Sequence, residues 1–333
     1  MIKKFLQHHP VHKKIVPILD PIFLLRPTIF FAVWVMVVVG MISAKLNMQI
    51  SCLWNIEFSG NIFFVFLGLT LLISSAFISN QLADAKNSQN KKYLLLIGKC
   101  ISVNKGQSIS KILLISGGLI SIITNWVTAI PAIFIYLLWG VEYFQVPFKW
   151  KNALASDWLV NSCVGILLFI IGWILGISDY ITHGINVLSI DTLYHMLPYI
   201  LFFSAVSLLT TLPDSNNGDE VGSTFPIVFR FSISLLISLV MGCVALFISL
   251  KYSDPLASTA GLVSLPFFIF ASFRRLDKDI IRAIRYPIFI LNFFSLAYYP
   301  WLIVPLLCTY YVSKYYYWHR FDIHYPTFLV DND

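Results

Sequence analysis

Two clusters of acids and amides sit at the ends of long apolar runs, and their residue types suit metal-assisted chemistry. Asn80, Gln81 and Asp84 close one run, while Asp214 and Asp219 lie in the Gly/Asn-rich stretch 211–226 between two others. A carboxylate beside hydrocarbon is costly to keep, so such groups read as functional by default. Asn80 and Asp84 are four residues apart and would point within about 40° of each other on a helix. Asp214 and Asp219 are five apart and could not share a helix face, but the turn Asn216-Asn217-Gly218 can fold both toward one point. Mg²⁺ takes one or two carboxylates together with water and phosphate oxygens of a substrate, so three Asp and two or three amides around a diphosphate would suit it. Taken singly, each Asp also fits a helix cap or a solvated loop charge. The pair of clusters on one side of a membrane is what favours a site.

The elements that must position these groups are membrane spans. The chain has 333 residues, 58% hydrophobic and only 12% charged, against about 25% charged in a soluble domain. A spanning helix needs about 20 mainly apolar residues. Nine candidates appear at 28–44, 61–82, 108–125, 127–143, 157–177, 189–212, 228–250, 256–273 and 286–312. The pair meeting at Asn125-Trp126 has almost nothing polar between its members. With the N-terminus inside, all but four of the 23 Lys and Arg residues fall in inside segments, the exceptions being Lys45, Lys251, Lys314 and Arg320. The same assignment puts both acidic clusters on the cytoplasmic side and the C-terminus outside. The expected organisation is a cytoplasmic N-terminal arm (1–27), a membrane domain (28–312) and a C-terminal tail (313–333).

The net charge of +7 then reflects positive-inside bias and attraction to anionic membrane lipids. Nucleic acid is the poorer partner, since no basic helix or aromatic-basic module is present. The five cysteines (Cys52, Cys100, Cys163, Cys243 and Cys308) show no CxxC spacing and read as packing residues. The segment Tyr93–Ile97 could lie flat at the interface. His8, His9 and His12 lack ligand spacing. Asp157 and Asn161, four apart at a helix start, could face a cavity or pack, and packing is the simpler reading. No P-loop, dinucleotide fingerprint, nucleophile elbow or HExxH is present.

At this point the sequence resembles a family, the UbiA superfamily of intramembrane prenyltransferases. Its first motif reads approximately N-Q/D-x-x-D-x-x-x-D, in one branch followed by N-K-K. Here stand Asn80, Gln81 and Asp84, then Asn90, Lys91 and Lys92. Its second motif, roughly L-P-D-x-x-G-D-x-x-x-G-x-x-T-F-P, is similar to Leu212-Pro213-Asp214, Gly218-Asp219, Gly222 and Thr224-Phe225-Pro226. Between them, Tyr143, Pro147, Lys149 and Lys151 resemble the family's Y-S-x-P-P-x-R-x-K, and Arg26-Pro27 its entry to the first helix. The resemblance implies an all-α integral membrane bundle of nine transmembrane helices around a central cavity. It implies Mg²⁺-dependent transfer of an isoprenoid from its diphosphate to a lipophilic or aromatic acceptor in quinone, carotenoid, tetrapyrrole or lipid chemistry. Asn80, Asp84, Asp214 and Asp219 would hold metal, with the three Asp as catalytic groups. Arg26, Lys91, Lys92, Tyr143, Lys149 and Lys151 would bind substrate, and a bacterial or archaeal cell membrane is the expected location. Asn87 or Ser88 replaces the last Asp of the first motif. That departure keeps a second reading open, a degenerate member that binds lipid or assists assembly. A transporter would place its polar groups near the bilayer midplane instead.

Overall fold

The computed structural model describes residues 10–48, 59–86, 96–142, 156–177, 189–210, 212 and 231–326. Among these residues no β-strand occurs, and the reason is the solvent. Lipid offers the backbone no hydrogen-bond partner, so each span must satisfy its own N–H and C=O groups as a helix. Eleven helices follow in order. They are α1 (Pro10–Leu24), α2 (Phe30–Asn47), α3 (Gly60–Lys86), α4 (Val103–Thr124), α5 (Trp126–Tyr136), α6 (Ser156–Ile177), α7 (Ile190–Thr210), α8 (Phe231–Lys251), α9 (Pro255–Arg274), α10 (Asp277–Tyr298) and α11 (Ile303–Phe321). A 3₁₀ turn, Pro27–Ile29, leads into α2, a π turn, Leu137–Glu142, ends α5, and a second 3₁₀ turn, Pro300–Leu302, precedes α11. Eight of the helices are long and apolar enough to cross a membrane, and the shorter apolar stretch Trp126–Gly140 lies among them.

The α4–α5 hairpin, the least marked boundary in the sequence, is made by one residue. Asn125 has an extended backbone, and its Oδ1 accepts the N–H groups of Val127 and Thr128 at 3.1 and 3.3 Å. It thereby caps α5 as soon as α4 ends. Elsewhere the helices meet through small residues. A Cβ on Gly172 of α6 would overlap the Val37 carbonyl of α2, and one on Gly40 would overlap the Phe169 carbonyl. The α2 and α6 backbones therefore touch, which substitutes close van der Waals packing for a hydrophobic effect that lipid cannot supply. The α3–α4 pair closes similarly around Gly68 and Gly117, and Ser75 Oγ donates to the Ser110 carbonyl at 2.8 Å.

Two expectations are corrected at the C-terminal end. The ninth expected segment, 286–312, spans a break rather than one helix. The charged stretch before it is already helical, because buried Asp279 meets Arg274 and Arg282, each at 3.2 Å. The crossing thus begins at Asp277, and Asp277 and Asp279 suit the positive end of the α10 dipole. The helix stops at Tyr298, since Pro300 has no N–H to donate and biases Tyr299 away from helical geometry.

The chain then returns as α11, and its end docks on α1. Tyr316 donates its hydroxyl to Asp20 at 2.6 Å, Arg320 pairs with the same carboxylate at 3.0 Å, and Phe23 stacks on Tyr316 at 3.8 Å. The C-terminal end of α11 therefore lies beside the N-terminal arm, not across the membrane from it, and the expected tail boundary at 313 falls inside a helix. Arg320 joins the end that carries most of the basic residues, here called the basic end. Leu96 and Ile97, expected to lie flat at the interface, are buried in the cluster with Phe23 and Tyr316.

The far end is held by a polar network. Asp254 Oδ1 accepts from the N–H groups of Leu256 and Ala257 and from the Tyr199 hydroxyl, each at 3.0 Å, so one carboxylate caps α9 and ties it to α7. Burial raises its pKa above the ordinary carboxylate value, against the opposing pull of these donors.

Two outcomes follow from this fold. Asp254→Ala removes a helix cap and strands the buried Tyr199 hydroxyl, so it should destabilise the protein by about 2–3 kcal/mol. Asp254→Asn retains an acceptor without a charge and should cost less than half as much, as read by thermal unfolding in detergent. In a cysteine-free background, Lys14→Cys and His324→Cys should label from one side of the membrane and Ser253→Cys from the other. Labelling of the first two from opposite sides would refute the return of α11.

Candidate active site at the basic end

Helix α3 places the first cluster. It continues to Lys86, so Asn80 and Asp84 lie on consecutive turns of one face. The Oδ1 of Asn80 is buried and has no hydrogen-bond partner among the described residues. Leaving a buried acceptor unmet costs about 1–3 kcal/mol. An amide oxygen one turn from a carboxylate is the donor set that a hard cation takes, and a poor one for a soft metal. What can be tested of a Mg²⁺ site therefore fits. Among the described residues no group of three His, Cys, Asp or Glu side chains could hold a metal ion. Asp214 and Asp219 lie outside the described residues.

Gln81 is rotated about 100° from Asn80 around α3 and faces α1. Its Nε2 donates to the Leu24 carbonyl at 2.9 Å, and its Oε1 has no partner among the described residues. The residue before Pro27, Arg26, has a left-handed backbone at φ 55° and lines the same space as Gln81.

The second wall of the site comes from α5 and α6. The π turn Leu137–Glu142 brings Gly140 against the backbone of Ala76, one turn before Asn80 on α3. Such turns recur at functional sites because they re-aim side chains within a helix. Here the re-aimed side chain is Trp139, which packs near Phe77 (centroids 5.3 Å apart) and donates its indole N–H to Asn161 Oδ1 at 2.9 Å. Trp139 and Asn161 help line a mostly apolar chamber of about 190 Å³ in the bundle interior, with Met36, Phe203, Thr210 and Leu291 among its other walls. Sequence reasoning leaned toward packing for Asn161. The usable signal was its four-residue spacing from Asp157 at the start of a span. Nothing in the spacing pointed to Trp139.

Helix α7 runs from the far end of the bundle toward this one. Near its start, His195 hydrogen-bonds Asn47 at the far end of α2 (3.1 Å). Its last residue, Thr210, stands on the chamber wall with Ile29 and Trp139. The segment holding Asp214 and Asp219 thus departs from the chamber rim, four residues beyond Thr210. Lys91, Lys92, Tyr143, Lys149 and Lys151 also fall outside the described residues. They belong to the segments that leave α3, continue from the π turn and enter α6.

Three solved structures share this architecture. A digeranylgeranylglyceryl phosphate synthase matches with a TM-score of 0.57 and 16% identity, over 85% of this chain and 97% of that one. A UbiA homologue from Archaeoglobus fulgidus bound to GPP and Mg²⁺ matches at 0.58 and 13%, over 84% and 99%. The apo form of a homologue from Aeropyrum pernix K1 matches at 0.57 and 11%, over 83% and 98%. At these identities the likeness is one of fold. No curated protein matches the sequence. The model of the UbiA prenyltransferase family matches residues 33–294, from early α2 almost to the end of α10. With most of its length matched and its membrane helices arranged as in those structures, this integral, multi-pass chain belongs to the UbiA prenyltransferase family.

Proposed function

We propose that the protein transfers an isoprenoid from its diphosphate to a lipophilic or aromatic acceptor, with the basic end of the bundle facing the cytoplasm. The carrying observation is the buried Oδ1 of Asn80, without a partner among the described residues and one helical turn from Asp84, at the end of the bundle where α7 stops four residues before Asp214. In this reading Asn80, Asp84, Asp214 and Asp219 hold Mg²⁺. When bound, the metal neutralises the diphosphate and makes it a leaving group.

The chain's own residues do the rest. Lys91, Lys92, Lys149 and Lys151 meet the remaining phosphate charge as point charges, and Tyr143 is a further substrate-binding group. The apolar chamber below excludes water from the allylic cation that forms as the C–O bond breaks. Trp139 fixes Asn161 by its carbonyl oxygen, which leaves the Asn161 amide nitrogen as the donor available at that wall. The Aeropyrum and Archaeoglobus likenesses support the scaffold, and the GPP and Mg²⁺ bound to the latter support the ligand class.

A degenerate, lipid-binding role is the second reading, favoured by Ser88 or Asn87 in place of a motif Asp. The two separate on diphosphate release, measured with a panel of prenyl diphosphates and quinone-precursor or lipid acceptors. Catalysis predicts weak metal binding without substrate, turnover abolished by chelation and restored by Mg²⁺, and a loss of about 100-fold or more in Asp84→Asn or Asp219→Asn. Such a loss corresponds to roughly 3 kcal/mol of transition-state stabilisation. Ser88→Asp should tighten metal binding. Background release unchanged in both Asp variants, with lipid binding intact, would leave only the second reading.

A further inference from the structure

Five of the residues that line the apolar chamber carry polar side-chain groups, and three of them are fully engaged within the protein. The Trp139 indole N–H donates to Asn161 Oδ1, the Tyr199 hydroxyl to Asp254 Oδ1 at 3.0 Å, and the Thr210 hydroxyl to the Ser207 carbonyl at 2.7 Å. The other two, Asn161 and Ser207, each retain a polar atom that makes no hydrogen bond among the described residues.

Ser207 departs from the habit of other serines in this bundle. The hydroxyls of Ser74, Ser162 and Ser295 turn back onto the carbonyl four residues earlier, a common way to satisfy such a group inside a helix. Ser207 Oγ makes no such bond, although the residue is only 8% exposed. Ser121, Ser264 and Ser313 also hold buried hydroxyls without a partner among the described residues, but none of these three lines the chamber.

Asn161 is oriented by its neighbour. An indole N–H can only donate, so the atom that meets Trp139 is the amide oxygen, and the amide nitrogen keeps both its donors. Trp158 Nε1 donates to the Ser204 carbonyl at 3.1 Å, and Ser204 Oγ donates to Ser162 Oγ at 2.8 Å. These bonds hold the turn of α6 that carries Asn161 against α7, one turn from Ser207. Ser207 itself lies three residues, about 4.5 Å along the helix, deeper than Thr210 at the rim. The wall deeper still, with Met36, Phe202, Phe203 and Leu291, is hydrocarbon.

Depth separates the two substrates. With a diphosphate at the rim, the first carbon of the prenyl chain and the acceptor must meet just beneath it, while the rest of the chain runs deeper. An isoprenoid is hydrocarbon throughout and would leave both polar atoms unmet. An acceptor oxygen at that depth takes a hydrogen bond from Asn161 Nδ2 and exchanges one with Ser207 Oγ, which can donate or accept. Resting on the transferase reading above, we propose that Asn161 and Ser207 form the acceptor subsite and select a phenol or another acceptor with a hydroxyl or carbonyl oxygen over a wholly hydrocarbon one.

Equilibrium dialysis of 4-butylphenol and butylbenzene tests this on the full-length protein in detergent, with protein-free micelles as the blank. The phenol should bind about tenfold more tightly, the scale of one to two hydrogen bonds. Ser207→Ala removes a hydroxyl that bonds nothing among the described residues, so it should leave the fold intact and cut the preference to about threefold or less. Asn161→Leu should lower the preference as well, but it also cuts the tie to Trp139, so Ser207→Ala is the cleaner variant. Equal binding of the two compounds, or a preference unchanged in Ser207→Ala, would overturn the proposal. In turnover with a phenolic acceptor, Ser207→Ala should raise the acceptor KM about three- to tenfold and leave the donor KM unchanged. A rise in the donor KM alone would assign the pair to the diphosphate and overturn the proposal. The dialysis needs neither metal nor donor, and the preference should persist in Asp84→Asn, which separates this result from the fate of the catalytic reading.

Discussion

A polar atom inside a bilayer must find a partner in the protein or be paid for, and that constraint explains where this chain does its work. Within the spans the hydroxyls mostly turn onto carbonyls, as Ser75 does across α3–α4 and Ser238 does from α8 to the Ala205 carbonyl of α7 at 3.0 Å. Charges are pushed to the ends, where Asp279 is met by two arginines, Asp254 by two backbone N–H groups and a tyrosine, and Asp20 by Tyr316 and Arg320. The side-chain oxygens of the neighbours Asn80 and Gln81 are among the buried polar atoms that meet no partner within the described residues. They point about 100° apart from adjacent positions on α3. One lies at the helix position a turn before Asp84, and the other faces α1 through its bond to the Leu24 carbonyl.

Tight helix contacts make those orientations rigid. Gly172 and Gly40 bring α2 and α6 into backbone contact, and Gly68 and Gly117 do the same for α3 and α4. Interiors packed this closely transmit position rather than absorb it. The π turn at Leu137–Glu142 uses the same economy of space, since Gly140 lets the backbone press on Ala76 while Trp139 swings to Asn161 and the chamber. The residues that set the chamber's shape are therefore mostly apolar or small.

Much of this was legible in the sequence, because membrane-length apolar runs and Asp-rich motifs are both local patterns. The spans from α2 to α9 fall where hydropathy puts them, and the four-residue spacing of Asn80 and Asp84 survives as a shared helix face. The ends of the chain were not legible. Residues 303–321 carry five tyrosines with Lys314, His319 and Arg320, and hydropathy divides them between the ninth expected span, to 312, and a tail from 313. What makes them a helix returning to the basic end is a partner some 300 residues away, Asp20, and no local pattern encodes that pairing. The same holds for Trp139, whose role depends on a π turn that periodicity does not reveal. Basic-residue counting erred in parity for a related reason. It carried one span across the break at Tyr298–Pro300 and so missed the return of the chain as α11.

The central claim is that the two acidic segments, more than a hundred residues apart in sequence, close over one diphosphate at the basic end. The direct measurement is a structure of the protein with Mg²⁺ and an unreactive thio-analogue of a prenyl diphosphate. The account predicts Asn80 Oδ1 and the carboxylates of Asp84, Asp214 and Asp219 around one metal-diphosphate group, with the prenyl chain running into the chamber beside Trp139. A diphosphate lying more than about 15 Å from Asp84, beyond the reach of two metal ions roughly 4 Å apart and their ligands, would contradict it.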